Sequence, residues 1–143
     1  MEKFTNPGVL DNKFKPIKVG GGVKFAENKE AISDEELSNL YSRSKFLLFP
    51  SLDEGFGLPV LEALLHRCIV ISNDIPTSRE IDMGEDVIEF IDVRNFDFSK
   101  VNKFLLDIQD KKRDYEKWYN KYSERSKAEV EEFRDFLEKK GWL

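Results

Sequence analysis

Two short apolar segments, separated by a loop and a helix, constrain the fold of this chain more than any other feature. Lys45–Phe49 is apolar without alternation and stops at Pro50, and Ile69–Ser72 has the same character. Such segments are typical of strands buried on both faces. The helix between them has Pro59 in its first turn, a favourable place for proline. Its apolar residues are Leu61, Ala63, Leu64 and Leu65. A strand, a helix and a strand within about 30 residues form a βαβ unit, which predicts an α/β fold with a Rossmann-like parallel sheet and a right-handed crossover.

The rest of the chain is expected to complete one domain around this unit. A length of 143 residues predicts a single domain over residues 1–143. Residues 1–22 hold two prolines and end in Gly20–Gly22, so we expect an irregular entry segment. We expect residues 23–97 to form the α/β core and residues 98–143 to form a helical tail with flanking contacts to it.

Local signals predict the remaining elements. Ser33 and Glu36 have the spacing of a capping box, which starts a helix running to about Arg43. Its buried residues are expected to be Leu37, Leu40 and Tyr41. The other predicted elements are a strand at Val23–Ala26, a short helix capped by Thr77 or Ser78 and reaching Ile81, and a strand at Val87–Ile91.

Two helices are predicted in the tail. The first covers about Phe98–Ile108, and the second covers Lys111–Lys140 with Gly141 as its stop. In the second helix, aromatic and aliphatic residues recur near a period of 3.6, which favours core packing over base stacking or a cofactor site. These residues are Tyr115, Trp118, Tyr119, Tyr122, Val130, Phe133 and Leu137.

Composition excludes several classes of function. The net charge of −5 argues against binding of nucleic acid, which requires a basic face. One cysteine and one histidine exclude an intramolecular disulfide and a histidine-rich metal site. No segment is apolar over the length of a membrane span, and the first residues do not resemble a signal peptide, so we expect a cytoplasmic protein.

The loop between the two apolar segments carries the predicted chemistry. Open α/β sheets bind ligands where strands end and helices begin. Gly55 and Gly57 let backbone N–H groups approach a ligand, and a helix that begins near Leu58 offers free N–H groups to a phosphate. Glu54 and Glu62 bracket the turn, and each carboxylate matches two adjacent hydroxyls of a sugar. The pattern indicates a nucleotide-sugar. In the plainer alternative, Glu54 is a loop acid and Glu62 interacts with the helix dipole.

Glu54–Glu62, preceded by Pro50 and Ser51, resembles the E-x7-E signature of retaining glycosyltransferases of the large group 1 family, which have the GT-B fold. The surrounding segments are similar in the same order: Asn6–Val9, Phe14–Pro16, Ile32–Tyr41, Ile69–Asp74 and Ser78–Ile81. The resemblance covers about residues 6–18 and 23–92. It implies one shortened half of a GT-B fold, the carboxy-terminal half that binds the donor.

The resemblance also implies roles for the site residues. Glu54 would contact the transferred sugar as the catalytic residue, and Glu62 would bind the ribose hydroxyls. The backbone of Gly55–Leu58 would line the sugar and the diphosphate, with Phe56 and Leu58 shaping that wall. Core packing is the alternative for these two side chains. The motif implies no metal and no cofactor, because the nucleotide-diphosphate sugar is a substrate.

The chain departs from the family pattern at two places within the domain. Arg67 and Ile69 stand where the family has a glycine and a proline, which predicts an altered turn. The arginine and lysine with which the family neutralises the diphosphate have no counterpart in Ile17–Gly22. Four cations are candidate substitutes, although each is more simply a surface charge: Lys18, Lys24, Arg67 and Arg79. His66 is expected to be a structural or a surface residue and not a general base, and Cys68 to be an inert core thiol.

Two hypotheses follow for the function. In the first, the chain is a donor-binding domain that is incomplete for catalysis alone, because GT-B enzymes bind the acceptor in a separate amino-terminal domain. An acceptor-binding chain would complete it, or a homodimer would cover the sheet edge left by a missing strand. In the second, the chain is a non-catalytic binding or interaction module that keeps the glycosyltransferase-like fold.

Overall fold

Two parallel sheets form the framework in the computed structural model, which describes residues 14–15, 17–19, 27–29 and 31–142. The described strands are β1 (Ile17–Val19), β2 (Glu27–Lys29), β3 (Phe46–Phe49), β4 (Ile69–Asn73) and β5 (Ile88–Ile91). β1 pairs with β2, and a separate sheet has the order β3-β4-β5, with all its pairs parallel. Phe46 lies opposite Ile69, and Val70 lies opposite Ile88. The predicted strand–helix–strand unit and its parallel sheet are therefore confirmed.

Helices flank the three-stranded sheet and form the tail. The described helices are α1 (Asp34–Arg43), α2 (Leu58–Leu65), α3 (Pro76–Asp82), α4 (Val101–Gln109) and α5 (Tyr115–Lys139). A 3₁₀ turn at Phe98–Lys100 leads into α4. This architecture is the predicted Rossmann-like α/β fold with a helical carboxy-terminal tail. Within the described ranges, no helix combines the length and the apolar character that crossing a membrane requires.

The start of α1 follows from its capping residue. Ser33 has an extended backbone, and its Oγ accepts a hydrogen bond from the N–H group of Glu36 at 3.1 Å. This bond satisfies one of the N–H groups that the first turn of a helix leaves unpaired. Leu40 and Tyr41 are buried, and Leu37 packs against the same core. The predicted helix and its buried face are confirmed.

The core has two parts because the sheet is covered on both faces. On one face, Val70 and Ile88 pack with α1, α2 and the first turns of α5. On the other face, Ile69, Ile71 and Ile91 pack with α4. Alternate residues of β4 therefore enter different clusters, and all five residues of this strand are buried. Burial on both faces explains the continuous apolar character of β4, as the sequence pattern predicts.

Two predictions for strands need correction. All four residues of β3 are only partly buried, although the sequence predicts burial on both faces, because β3 pairs along one edge alone among the described strands. β1 lies in the segment that we expected to be irregular, where three residues pair with β2. The strand predicted at Val23–Ala26 falls outside the described residues.

The caps predicted for the helix after β4 are wrong. Ile75 is the N-cap of α3, and both Thr77 and Ser78 lie inside the helix. Their hydroxyls are engaged elsewhere, since Thr77 donates to Glu54 O at 2.7 Å and Ser78 Oγ lies 2.7 Å from Ser72 Oγ. Pro76 favours this start because its fixed φ suits the first helical position and leaves one N–H group fewer to satisfy there.

The aromatic stripe of the tail helix is core for only part of its length. Trp118 is 1% exposed and donates its Nε1–H to Ile81 O at 2.7 Å, and Tyr115 and Tyr122 pack on the same cluster. Val130 and Phe133 are 69% and 62% exposed. The prediction of core packing is therefore right for Tyr115, Trp118 and Tyr122. It is wrong for Tyr119, which is 50% exposed, and for Val130 and Phe133 in the turns that extend past the sheet. Gly141, with φ +69°, ends the helix as predicted.

Candidate functional site

The loop from Pro50 to Gly57 joins the carboxyl end of β3 to the amino end of α2, as the sequence predicts. Its first residues are fixed by the buried amide of Asn73 at the end of β4. Asn73 Nδ2 donates to Pro50 O at 2.9 Å and to Ser51 O at 3.1 Å. Asn73 Oδ1 accepts from the N–H group of Val93 at 2.8 Å. One side chain therefore holds the loop at the carboxyl edge of the sheet, where α/β folds bind ligands.

The second half of the loop is held by α3. Thr77 Oγ1 donates to the backbone carbonyl of Glu54 at 2.7 Å. Gly57 has φ +79°, and a Cβ at this position would lie 3.0 Å from Ile81 Cδ1 and 3.2 Å from Thr77 Cγ2. Glycine is therefore required at residue 57 for its left-handed backbone and for the close approach of α3. Both contacts fix the path of the chain just before α2 begins.

The residues between these anchors form an exposed rim. Phe56 is 59% exposed and Leu58 is 55% exposed, so core packing, the alternative interpretation of these two side chains, is excluded. A Cβ on Gly55 would meet no atom within 4 Å. Glu54 is exposed, and its Oε1 accepts from the N–H group of Gly55 at 3.2 Å. The rim presents three exposed apolar side chains, two carboxylates and an uncovered stretch of backbone: Leu52, Phe56 and Leu58, Asp53 and Glu54, and Gly55.

Glu62 is positioned by a tyrosine from another helix. It lies on α2, four residues after Leu58, so the two side chains share one face of the helix. Tyr41 Oη donates to Glu62 Oε2 at 3.2 Å. Burial, together with the neighbouring Glu62 carboxylate, raises the pKa of the Tyr41 phenol far above its usual range. Tyr41 is therefore protonated at neutral pH and donates to Glu62.

His66 supports this arrangement structurally, as predicted. It caps the carboxyl end of α2, and its Nδ1 lies 2.7 Å from Glu62 O. Its Nε2 lies 2.8 Å from Ser38 Oγ, and its ring stacks on Tyr41 with centroids 5.3 Å apart. If Nδ1 carries the proton, it donates to Glu62 O and Nε2 accepts from Ser38. Nδ1 then caps α2, and Nε2 joins α2 to Ser38 on α1.

The amino end of α2 offers few but well-placed donors. The N–H groups of Val60 and Leu61 both bond to Gly57 O, at 3.0 and 3.1 Å. Pro59 has no N–H group, so Leu58 carries the N–H group that the first turn of a helix leaves without an intrahelical partner. A partial positive charge at this end of the helix favours an anion such as a phosphate.

The candidate cations do not gather at this end of α2. Arg67 follows the carboxyl end of the eight-residue helix, which places it about 12 Å along the axis from the amino end. Arg79 is at the correct edge of the sheet, but it makes a bidentate ion pair with Asp74 at 2.6 and 2.7 Å and lies over the ring of Phe90 at 3.7 Å. The side chain of Lys18 and the whole of Lys24 fall outside the described residues.

The turn that departs from the family pattern keeps a glycine-like backbone. Arg67 has φ +59°, the left-handed conformation that glycine adopts without strain. Cys68 follows it and is 1% exposed, and its thiol donates to Tyr41 O at 3.1 Å. Burial raises the pKa of this thiol to about 11. The expected inert core thiol is therefore confirmed, and the turn carries backbone strain at Arg67.

The sequence predictions missed two side chains that hold the site loop, Asn73 and Thr77, the second of which they assigned to a helix cap. They also missed Asp82, which holds the start of β5 by accepting from the N–H groups of Val87 and Ile88 at 2.8 and 2.9 Å. Asn73 directly follows an apolar strand, and this position at the end of a parallel strand was the signal that could have identified it. No cluster of His, Cys, Asp or Glu able to hold a metal occurs in the part of the chain that the structure describes.

A parallel sheet with flanking helices, and with a fixed loop and a helix amino end at its carboxyl edge, defines a Rossmann-like domain. The sequence model of the family described as "Glycosyl transferases group 1" matches residues 19–117 of this chain. The chain therefore belongs to the group 1 glycosyltransferases.

Three curated relatives each match this chain over 50 residues, which is 35% of the chain. The match is 54% identical to "Serotype-specific mannosyltransferase WbdA" of Escherichia coli, where it covers 6% of that protein. The second match is 46% identical to "O-antigen chain mannosyltransferase RfbU" of Salmonella typhimurium, covering 14%, and the third is 36% identical to "O-antigen chain mannosyltransferase B" of Escherichia coli, covering 13%. The matched segment is thus a small part of each relative. No solved structure matches the chain.

Proposed function

We propose that this domain binds the nucleotide-sugar donor of a retaining glycosyltransferase and needs a further acceptor-binding part for catalysis. The observation that carries the proposal is the pairing of a carboxylate fixed by Tyr41, Glu62, with an uncovered loop at the amino end of the same helix. The E-x7-E interpretation assigns different parts of one ligand to these two features.

The assignment follows the chemistry of each group. The Glu62 carboxylate accepts hydrogen bonds from the two ribose hydroxyls, while Tyr41 occupies one further acceptor site of the same carboxylate. The diphosphate lies against the N–H group of Leu58, where the helix dipole favours an anion. Phe56 and Leu58 flank the ligand with apolar surface, and Glu54 binds hydroxyls of the transferred sugar.

The proposed reaction transfers the sugar to an acceptor hydroxyl. The hydroxyl oxygen forms a bond to the anomeric carbon, and the bond from that carbon to the diphosphate oxygen breaks. The nucleoside diphosphate leaves with the electron pair, and the proton of the acceptor hydroxyl is released to it or to solvent. The amino end of α2 stabilises the negative charge that develops on the departing diphosphate. We assign no step to a metal ion or other cofactor.

The names of the relatives suggest the sugar to test first. Each of the three is called a mannosyltransferase, so we propose mannose as the transferred sugar. We also propose a cytoplasmic location, with which the free buried thiol of Cys68 is compatible.

Calorimetric titration with UDP-, GDP- and ADP-linked mannose and glucose tests donor binding. Without a described cation at the amino end of α2, we expect a Kd of about 1 mM, because charge-assisted hydrogen bonds that contribute about 1.5–3 kcal/mol each are missing. Glu62→Gln should weaken binding at least about fivefold, since an amide cannot accept both ribose hydrogen bonds. Glu124→Gln, a change of the same type at an exposed position of α5, is the matched control. Wild-type protein that binds none of the six ligands at millimolar concentration contradicts the proposal.

The alternative function is a non-catalytic interaction module. Two observations favour it: Arg79, the described candidate cation at the correct edge, is bound to Asp74, and the far turns of α5 expose apolar side chains. Release of free sugar from a bound donor, or its transfer to an added acceptor glycan, separates the two functions. A domain that binds the donor but catalyses neither reaction, even with an added acceptor-binding protein, is the module.

A further inference from the structure

The far turns of α5 present an apolar surface that the domain itself does not cover. We call residues 129–142 the distal segment of α5. Val130, Phe133 and Phe136 are 69%, 62% and 45% exposed, and Trp142 is 70% exposed. Monomeric proteins rarely expose contiguous apolar surface of this kind, and where they do, it is usually an interaction site.

The aromatic side chains of this segment are ordered against one another. The rings of Phe133 and Phe136 stack with centroids 6.5 Å apart and an interplanar angle of 13°. Trp142 lies edge-on to Phe136 at 6.1 Å. The helix end holds it there, since Gly141 is left-handed and the N–H group of Trp142 returns to Leu137 O at 3.0 Å. The surface is therefore formed before any partner arrives, which lowers the entropic cost of binding.

The order of residues along this surface is complementary to itself. Glu129, Phe133, Phe136 and Lys140 follow one another at intervals of four, three and four residues, so they form one stripe along the helix. A groove along this stripe is lined by Glu129, Glu132, Phe133 and Phe136. Read in the opposite direction, the stripe begins with a base and ends with an acid. An identical stripe placed antiparallel therefore meets each charge with its opposite and each aromatic ring with another.

We propose that the distal segments of two copies of this chain pair antiparallel about a two-fold axis. Glu129 of each copy then lies opposite Lys140 of the second copy, and Phe133 lies opposite Phe136 of the second copy. These intervals are those of the a and d positions of a coiled coil. A two-fold contact of this type uses the same patch on both subunits. This inference goes beyond the proposed function and does not depend on it.

The positions that flank the stripe agree with this pairing. On one side of the stripe, Val130 and Leu137 of the second copy are neighbours displaced by about 3 Å along the axis, and both are apolar. On the other side, Glu132 and Lys139 of the second copy are displaced by the same amount, and their charges are opposite. The outer face of the segment is charged throughout: Glu131, Arg134, Asp135 and Glu138. Parallel pairing would place Glu129 opposite Glu129 and Lys140 opposite Lys140, which is repulsive.

The contacts within one copy leave the stripe accessible. Glu129 pairs with Arg125 at 3.1 Å, but its side chain is 60% exposed, and exposed pairs of this kind contribute little. Lys140 lies 5.7 Å from the ring centre of Phe136. The segment is about 21 Å long, so a contact made by it alone is small and gives an affinity of about 10–100 µM.

Sedimentation equilibrium of the full chain at about 1–500 µM tests the pairing. We expect a reversible monomer–dimer equilibrium for the wild-type protein. Glu129→Lys and Lys140→Glu should each weaken self-association about tenfold or more, because each places like charges opposite one another at two symmetric positions. Glu131→Lys, on the outer face, is the matched control and should leave the equilibrium unchanged. Circular dichroism checks that these exposed substitutions keep the fold.

A mixture of the two charge variants provides the decisive measurement. In Glu129→Lys alone, the introduced lysine faces the native Lys140 of the second copy. In the mixed dimer, the introduced lysine of the Glu129→Lys chain faces the introduced glutamate of the Lys140→Glu chain. The native Lys140 of the first chain faces the native Glu129 of the second. The mixture should therefore associate at least about tenfold more tightly than either variant alone.

Three outcomes would each overturn the proposal: a wild-type protein that stays monomeric, a dimer that neither variant weakens, or a mixture that does not associate. The last two outcomes would assign the contact to another surface, such as the edge of β3 along which no described strand pairs.

Discussion

Tyr41 Oη donates a hydrogen bond to Glu62 Oε2 across 3.2 Å and so joins the helix before β3 to the helix after it. Tyr41 is buried at its helix position, and its ring is stacked on His66, which itself caps the carboxyl end of α2. The carboxylate that we assign to the donor ribose therefore has its direction set by residues outside the loop.

Tyr41→Phe removes this hydrogen bond and keeps the ring. We expect donor binding to weaken about five- to tenfold, because Glu62 loses the donor that orients it and must be ordered by the ligand instead. Unfolding in urea should show a loss of about 1 kcal/mol. Titration of Tyr41→Phe, Glu62→Gln and the double variant with the donor completes a double-mutant cycle. We expect the effects of the two changes on the binding free energy not to be additive. Additive effects would show that the two side chains act independently.

Gly57 and Gly55 should respond differently to alanine. Gly57→Ala places a Cβ 3.0 Å from Ile81 Cδ1 on a backbone with φ +79°, so we expect a loss of about 2–3 kcal/mol in the free energy of unfolding. Gly55→Ala meets no atom within 4 Å, and its stability should stay within about 0.5 kcal/mol of the wild type.

The same two variants distinguish an effect on folding stability from an effect on ligand binding at this loop. Gly55→Ala should still weaken donor binding, because its methyl group enters the space that we assign to the ligand. Calorimetry on the folded variant measures this effect directly. Unchanged affinity in Gly55→Ala would place the ligand elsewhere on the rim.

Elements with strong local signals could be predicted from the sequence. Ser33 and Glu36 identified the start of α1, and the unbroken apolar segments identified β3 and β4 and their parallel pairing. These signals are local because a cap acts within one turn and a strand between two layers is apolar on both faces. For Phe56 and Leu58 the sequence left two interpretations open, a ligand-facing wall and core packing, and their exposure excludes the second.

Contacts between elements distant in the chain could not be predicted in the same way. Thr77 and Ser78 look like N-caps, but their hydroxyls bond to Glu54 and Ser72, which only the packed fold brings near. Asp82 depends likewise on the N–H groups at the start of β5. The apolar residues of α5 keep their helical period past Tyr122, but the helix there extends beyond the core on which its first turns pack. The period alone therefore predicts burial where the structure shows exposure.

Arg67→Gly should stabilise the domain. Arg67 has φ +59°, a backbone conformation that costs any residue with a side chain about 1–2 kcal/mol. Glycine avoids this cost, but its larger freedom in the unfolded chain cancels part of the stabilisation. We expect a net increase of about 0.5–1 kcal/mol in the free energy of unfolding, measured in urea. Arg67→Ala is the control, because it removes the same side chain and keeps the strain. Equal stabilisation by both variants would assign the effect to the arginine side chain instead.

Stability should fall between pH 9 and pH 11 through the thiol of Cys68. Burial raises the pKa of this thiol from 9.0 to about 11, so the folded protein keeps a proton that the unfolded chain releases. Ionisation then favours the unfolded state, and the contribution that is fully present below pH 9 is lost as the pH rises to about 11. We expect this loss to be about 1–2 kcal/mol.

Urea unfolding at intervals between pH 9 and pH 11 measures the loss of stability. Cys68→Ala should flatten the alkaline decline while lowering stability at neutral pH. The pKa values of Tyr41 and Tyr115 are also raised by burial, so part of the decline remains in the variant. An identical decline in both proteins would show that the thiol ionises equally in the folded and unfolded states.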